Sequence, residues 1–432
     1  AGPSDGGAVV AWTQNQSVRL MKLDAAGAPQ WASDVVLTPA AGSYSVADLH
    51  ATGTDVIVSI VHQTGGFSSP RRLVTQKFDA SGAPLWGAAP VAVFDTGSLQ
   101  IGNFPSFVPD GSGGAVFAWY TSSPLQCWAQ RIRANGTELF PHDGVAVSTD
   151  ATQIRVNPTV SFVPKTNATI VSWVEQNSLQ SQFGVASQKF DAAGNRLWGN
   201  TGATHVPLGS VEIGNVRNLA GEFSTSVFFV RTPSFGQGVL RALRLDPTGA
   251  IDQPEGDVAS TPSAKSRLAA VTSAVGQSIL AWTDQRVDAG DVFMQNVNCD
   301  GSLGAPDGTA PWTNLGLGLA GQNGTPTLAA SGPLCIGSPF SLALSNGLPN
   351  GTAALVLGAS ALSAPFAGGT MLPNPDLIAF GLPLDAAGDL AIAGTLPAAM
   401  PPGFEVFLQA WIADPGGPQG FAASNGLKGT AP

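Results

Sequence analysis

The chain has 432 residues and a formal net charge of −10; 44% of it is hydrophobic, 11% is charged, and it contains 53 Gly and 33 Pro. So much apolar surface can offset the entropy of ordering, which excludes disorder. The 19 Lys and Arg form no cationic stripe for nucleic acid, and no apolar run approaches the ~18 residues of a membrane span.

What remains is a turn-rich, all-β chain, long enough for roughly two to four domains or one repeat array with an appendage. Its first residues, AGPSDGG, lack the basic and apolar regions of a secretory signal, so any such signal is expected to be removed or not included. Gly2, Ser4 and Gly6 have the spacing of a nucleophile elbow. That motif needs a buried strand before it and a helix after it, and here it falls in a turn.

Two anchors then recur. The first is an apolar run ending at Trp12, Val61, Trp119, Trp173, Val230 and Trp282, the repeat-core positions. The second is an alternating strand closed by a turn glycine, as in KLDAAG or QKFDASG, at Gly27, Gly82, Gly136, Gly194, Gly249 and Gly301. These glycines lie 52 to 58 residues apart, a repeat architecture. Each period reads as four short strands between Gly, Pro, Asn and Asp turns. The Trp-ending strand is apolar at nearly every position and must be covered on both faces. A blade of a β-propeller meets that condition, whereas a sandwich would leave one face of each strand in water. Residues 1–308 are therefore read as a propeller, six-bladed by anchor count, with seven the alternative.

The first period is short of one strand, because nothing before Trp12 matches Phe104 to Val108 of the third. The carboxyl side of the array, upstream residues or a neighbouring molecule could supply it. The last route is β-strand addition, which leads to a filament.

Within the array, several residues suggest chemistry. Trp31, Trp86 and Trp198 follow the turns and are candidate sugar-stacking surfaces. Asn296, Asn298, Asp300 and Asp307 roughly follow a calcium loop, though Asn stands first and Asp replaces the bidentate Glu, so a plain turn is favoured. Asp284 and Arg286 suit a structural ion pair. His50, His62, His142 and His205 show no ligand or triad spacing. The three cysteines allow at most one internal disulfide, for which Cys299 with Cys335 is favoured, and Cys127 reads as a buried small hydrophobe.

From Thr309 the composition changes. Residues 309–432 hold six charged side chains, Asp376, Asp385, Asp389, Glu405, Asp414 and Lys428. Runs such as TAALVLGAS and FEVFLQAWIA between PNG, DAAG and DPGGP turns predict an antiparallel, Ig-like β-sandwich. Its low charge suits a contact-making surface. Gly316, Gly318 and Gly321 match GxGxxG, but no helix can start in the QNGTPT that follows.

The pattern GGAVVAW…QKFDAAGNRLWG, with its variant AWTDQR…DVFMQNV, resembles a tandem repeat common in large secreted bacterial proteins and generally taken to form β-propellers. The stretch from PWTNLGLGLAG through DPGGPQGFAASN resembles a carboxyl-terminal module appended to many otherwise unrelated secreted bacterial proteins. The resemblance implies an extracellular or cell-surface bacterial protein and brings no catalytic residues and no cofactor. A hydrolase built on the central funnel would need carboxylates at equivalent inner positions, and the Trp-ending strands contain almost none. The resulting expectation is a non-enzymatic structural protein whose partner is itself, assembling through the incomplete first blade. The alternative is a lectin-like propeller that binds cell-surface polysaccharide.

Overall fold

A computed structural model describes residues 1–273, 277–288, 290–304, 312–332, 334, 339–395 and 403–431. The described chain is all-β apart from one short 3-10 turn at Pro418–Gly420. No helix is long and apolar enough to cross a membrane. Two compact units form, one from Ala1–Ala270 with Ala281–Phe293 and the other from Val271–Leu280 with Met294–Pro432.

The repeats are a β-propeller of antiparallel sheets, six of them among the described residues. The first is β1 (Ala8–Gln14), β2 (Ser17–Leu23) and β3 (Val35–Leu37). The second is β4 (Ser43–Thr52), β5 (Asp55–Gln63), β6 (Arg71–Phe78) and β7 (Val91–Phe94). The third is β8 (Phe107–Pro109), β9 (Ala115–Tyr120), β10 (Cys127–Ile132) and β11 (Val145–Ala146). The fourth is β12 (Ile154–Val163), β13 (Ala168–Gln176), β14 (Phe183–Phe190) and β15 (Ala203–Gly209). The fifth is β16 (Glu212–Ala220), β17 (Thr225–Thr232), β18 (Gly238–Leu245) and β19 (Ile251–Ser263). The sixth is β20 (Lys265–Thr272), β21 (Ser278–Asp284) and β22 (Asp291–Val297).

The Trp-ending strands sit inside their sheets, and Val61, Trp119, Trp173, Val230 and Trp282 are buried. Trp12 departs from the repeat-core expectation. It lies on β1, an edge strand, and is 36% exposed because no inner strand of its own sheet covers it. Part of that edge is occupied, since Ala1 and Val9 exchange both backbone hydrogen bonds at 2.8 and 2.9 Å.

The turn signature has a local cause. In DAAG and its variants the Asp carboxylate accepts the backbone N–H groups two and four residues on, as Asp24 does from Ala26 and Ala28 and Asp79 from Ser81 and Ala83. The turn then closes through a glycine in the left-handed region, at φ 83° in Gly27 and 87° in Gly82.

Successive sheets are joined at these turns. Trp31, Trp86 and Trp198 were candidate ligand surfaces, and the structure corrects that: all three are buried. Each indole N–H donates to a carbonyl of the next repeat's turn, Trp31 to Ala80 at 3.0 Å, Trp86 to Ala134 at 2.9 Å and Trp198 to Pro247 at 3.1 Å. Each ring lies on that turn's glycine. A Cβ on Gly136 would come within 2.7 Å of Trp86, and one on Gly249 within 2.7 Å of Trp198. Phe140 takes the same place over Gly194 in the fourth repeat.

The remaining described chain comprises β23 (Trp312–Gly316), β24 (Thr327–Ser331), β25 (Pro339–Ser345), β26 (Thr352–Gly358), β27 (Ala361–Phe366), β28 (Gly369–Pro373), β29 (Leu377–Pro383), β30 (Leu390–Thr395), β31 (Glu405–Ala413), β32 (Phe421–Ala423) and β33 (Gly426–Thr430). The largest sheet runs β23-β33-β31-β26-β29, with β32 beside β31, and a second runs β24-β25-β30. Leu328, Leu342 and Leu344 of the second meet Leu355, Leu408, Ala410 and Ile412 of the first in one core. Cys299 is disulfide-bonded, and Cys335, its favoured partner, lies outside the described residues. Cys127 is a buried free thiol whose pKa is pushed well up by desolvation.

Two predictions test this framework. Gly136→Ala combines a left-handed φ with a clash against Trp86, whereas a Cβ on Gly27 meets open space at nearly the same φ. Urea unfolding should show Gly136→Ala losing about 2–4 kcal/mol and Gly27→Ala about 1 kcal/mol. The second concerns His205, which is buried on β15 with no hydrogen-bond partner on Nε2 among the described residues. Burial lowers its pKa from 6.5 to about 4. Between those values the unfolded chain binds a proton that the folded chain refuses, so stability falls as pH drops through that window. Urea titrations at pH 7 and 4.5 should differ by about 2–3 kcal/mol less in His205→Leu than in the parent.

Candidate functional site

Antiparallel order places the β5–β6, β9–β10, β13–β14 and β17–β18 connections on one end of their sheets. The connections that lead into the next sheet's first strand fall on the same end. Gln100 N–H and the Asn103 amide both donate to Tyr120 O, and Arg155 N–H donates to Leu125 O. This loop face carries a periodic feature. Phe67, Leu179 and Phe235 occupy the second-to-third-strand connection of the second, fourth and fifth repeats, and Val287 occupies that of the sixth; all four are strongly exposed. Ile101 and Phe104 add two more from the connection into the third sheet.

Phe67 is 75% exposed yet held in place. Arg71 donates to Phe67 O at 3.0 Å and to the Gln63 side chain at 3.3 Å, and its guanidinium lies 5.5 Å from the Phe67 ring centre. The Gln63 amide in turn donates to Gly66 O at 2.7 Å. An exposed aromatic braced in this way is a preorganised contact.

Beneath the face lie two buried ion clusters. Arg155, 1% exposed, reaches Glu175 at 2.9 Å, Asp150 at 3.4 Å and Gln126 Oε1 at 2.8 Å. Burial raises the Glu175 pKa despite the opposing charge of Arg155, while hydrogen bonds from Thr152 hold that of Asp150 down. In the sixth sheet Asp284 accepts from Arg286 at 2.6 Å, Ser263 at 2.5 Å and Trp282 Nε1 at 2.8 Å, with Lys265 at 3.3 Å. Burial works to raise the Asp284 pKa, but these donors outweigh it and hold the carboxyl well below its ordinary range. Glu175 and Asp284 both stand two residues after a core Trp, so Asp284–Arg286 belongs to a repeated structural position rather than a ligand site.

The first strands β4, β8, β12 and β16 pack on one another along the interior. There Asp48 accepts from Phe107 N–H at 3.2 Å and meets His50 Nε2 at 3.1 Å. Burial lowers the pKa of Arg217 on β16, and the charge of Asp48 on β4 opposes that shift. Bulges on β4, β12 and β16 help to aim these side chains.

Other sequence candidates resolve as follows. Asn296 and Asn298 bond to each other and to Gly304 O, and Asp300 accepts from Ser302, while Asp307 lies outside the described residues. Ser4 donates its N–H to Gly53 O in a turn with no helix after it. His62 packs on Tyr44, but His142 meets three carboxylates that sequence spacing did not bring together.

No family model matches the chain, and no curated protein matches it. Among solved structures it is similar to an α-L-arabinofuranosidase from Clostridium thermocellum, with 11% identity over 59% of this chain and 91% of that one, TM-score 0.35. It is also similar to a polysaccharide lyase, an ulvan lyase, with 10% identity over 80% and 88%, TM-score 0.46. A third is an exo-β-1,3-galactanase from Phanerochaete chrysosporium, with 10% identity over 98% and 100%, TM-score 0.31. Likeness at this level assigns no activity or substrate.

All three are named as carbohydrate-active enzymes, and the expectation of a non-enzymatic, self-assembling structural protein is corrected on that finding. The first sheet does hold three strands, with Ala1 pairing Val9 at its β1 edge, and the carboxylates that follow a core Trp, Glu175 on β13 and Asp284 on β21, are held in ion pairs.

Proposed function

We propose that the propeller is a carbohydrate-directed module that engages a polysaccharide chain along its loop face. The observation that carries this reading is the recurrence of exposed apolar side chains, Phe67, Leu179, Phe235 and Val287, at one equivalent connection in the second, fourth, fifth and sixth repeats. Exposed aromatic rings offer flat apolar surface to the C–H faces of sugar rings. Spacing such contacts over several repeats suits a polymer, because each weak contact raises the effective concentration for the next. Neighbouring amides such as Asn103, Gln180 and Gln237 offer hydrogen bonds to hydroxyls without adding charge. An extracellular or cell-surface location goes with this reading, and the disulfide at Cys299 supports an oxidising compartment.

Affinity electrophoresis against a panel of neutral and acidic polysaccharides, with analysis of released sugars, tests it. At least one polymer should retard the protein, and Phe67→Ala with Phe235→Ala should weaken retardation about tenfold or more while leaving the melting temperature unchanged. No retardation by any polymer, or retardation untouched by the double substitution, would overturn the proposal.

A further inference from the structure

On the outer side of the second and third sheets, four side chains from two repeats converge. Asp95 follows β7, while Glu138, His142 and Asp143 precede β11. His142 Nδ1 faces the Glu138 carboxylate at 3.1 and 3.2 Å. Its Nε2 lies 3.2 Å from Asp95 Oδ1 and 3.8 Å from Asp143 Oδ2. One donor atom each from Asp95, His142 and Asp143 falls within 4.8 Å of the other two.

Each part of this arrangement bears on what it can hold. Glu138 lies where it can accept from Nδ1–H, so that an ion displacing the Nε2 proton would meet the Nε2 lone pair beside the two aspartates, as outer carboxylates arrange for metal-bound imidazoles. Asp143 is independently anchored, its Oδ1 accepting from Asp95 N–H at 2.8 Å and its other oxygen from the Thr96 hydroxyl. Donor separations of 3.2 and 3.8 Å bracket the roughly 3.3–3.6 Å that metal–ligand bonds of about 2.0–2.2 Å span at the tetrahedral angle, so a small movement of Asp143 closes the site around an ion. The charge is also unbalanced. Among the described residues, His142 is the only basic side chain paired with any of the three carboxylates, and no Lys or Arg joins them. His142 and Asp95 are open enough to water for an ion to enter and to keep solvent ligands.

We infer that Asp95, His142 and Asp143 form a binding site for a borderline divalent cation such as zinc, with Glu138 as the positioning carboxylate, and that the ion clamps the second sheet to the third. One imidazole with two carboxylates favours such a metal over calcium, which takes six to eight oxygens. The site uses none of the exposed apolar side chains of the loop face and does not depend on the carbohydrate reading.

The full chain, stripped with chelator, would be titrated calorimetrically with zinc chloride and separately with calcium chloride, alongside His142→Gln and Asp95→Asn. The expected result is one saturable zinc site per chain, weakened about tenfold or more in both variants. Zinc should also raise the melting temperature by about several degrees in the parent only. Both substitutions are at exposed or half-exposed positions, and matching circular dichroism without metal confirms that the variants are folded. Absence of saturable zinc binding would overturn the inference. So would zinc binding unchanged in both folded variants, or a calcium affinity equal to that for zinc.

Discussion

The contact on which the array depends is an aromatic ring of one repeat closing over the turn glycine of the next. A β-sheet of three or four strands is marginal by itself, since it must cover both faces of its apolar central strand. Stacking sheets provides that cover, and the Trp-to-turn contact sets how one sheet meets its neighbour. It combines a buried ring, an indole hydrogen bond of 2.9 to 3.1 Å to the next turn's carbonyl, and a glycine that is required for both its positive φ and its missing Cβ. The fifth repeat departs from the pattern, with Gln253 at the position that holds Trp31, Trp86, Phe140 and Trp198 in the first four.

Much of this was legible in the sequence because it is local. The Asp that accepts two turn amides and the glycine that closes the turn sit within a few residues of each other, and their near-constant spacing exposes the repeat. The Trp after the turn was visible too, but its role was misread. A tryptophan beside a turn reads as a surface residue until its partner is known, and that partner lies about one repeat away, Ala80 for Trp31 and Ala134 for Trp86. The same distance hid His142. Its nearest carboxylate in sequence, Asp143, predicts nothing, and Asp95 reaches it only because the chain leaving β7 meets the chain entering β11.

A rigid inner array and a varied loop face divide the labour in this fold. Buried ion clusters around Arg155 and Asp284 tie inner strands to the Trp-ending strands. Above them, the second-to-third-strand connections are free to vary, and there the chain places Phe67, Leu179 and Phe235 in solvent. Connections on a rigid scaffold are where recognition usually resides.

Native-state hydrogen exchange of Trp86→Ala tests the central claim most directly. If the ring over Gly136 sets how the second sheet meets the third, protection should fall in the amides of β6 and β10 alike, with β18 in the fifth sheet unaffected. Loss of protection confined to the second sheet would contradict the account, because Trp86 would then be filling its own sheet rather than joining two.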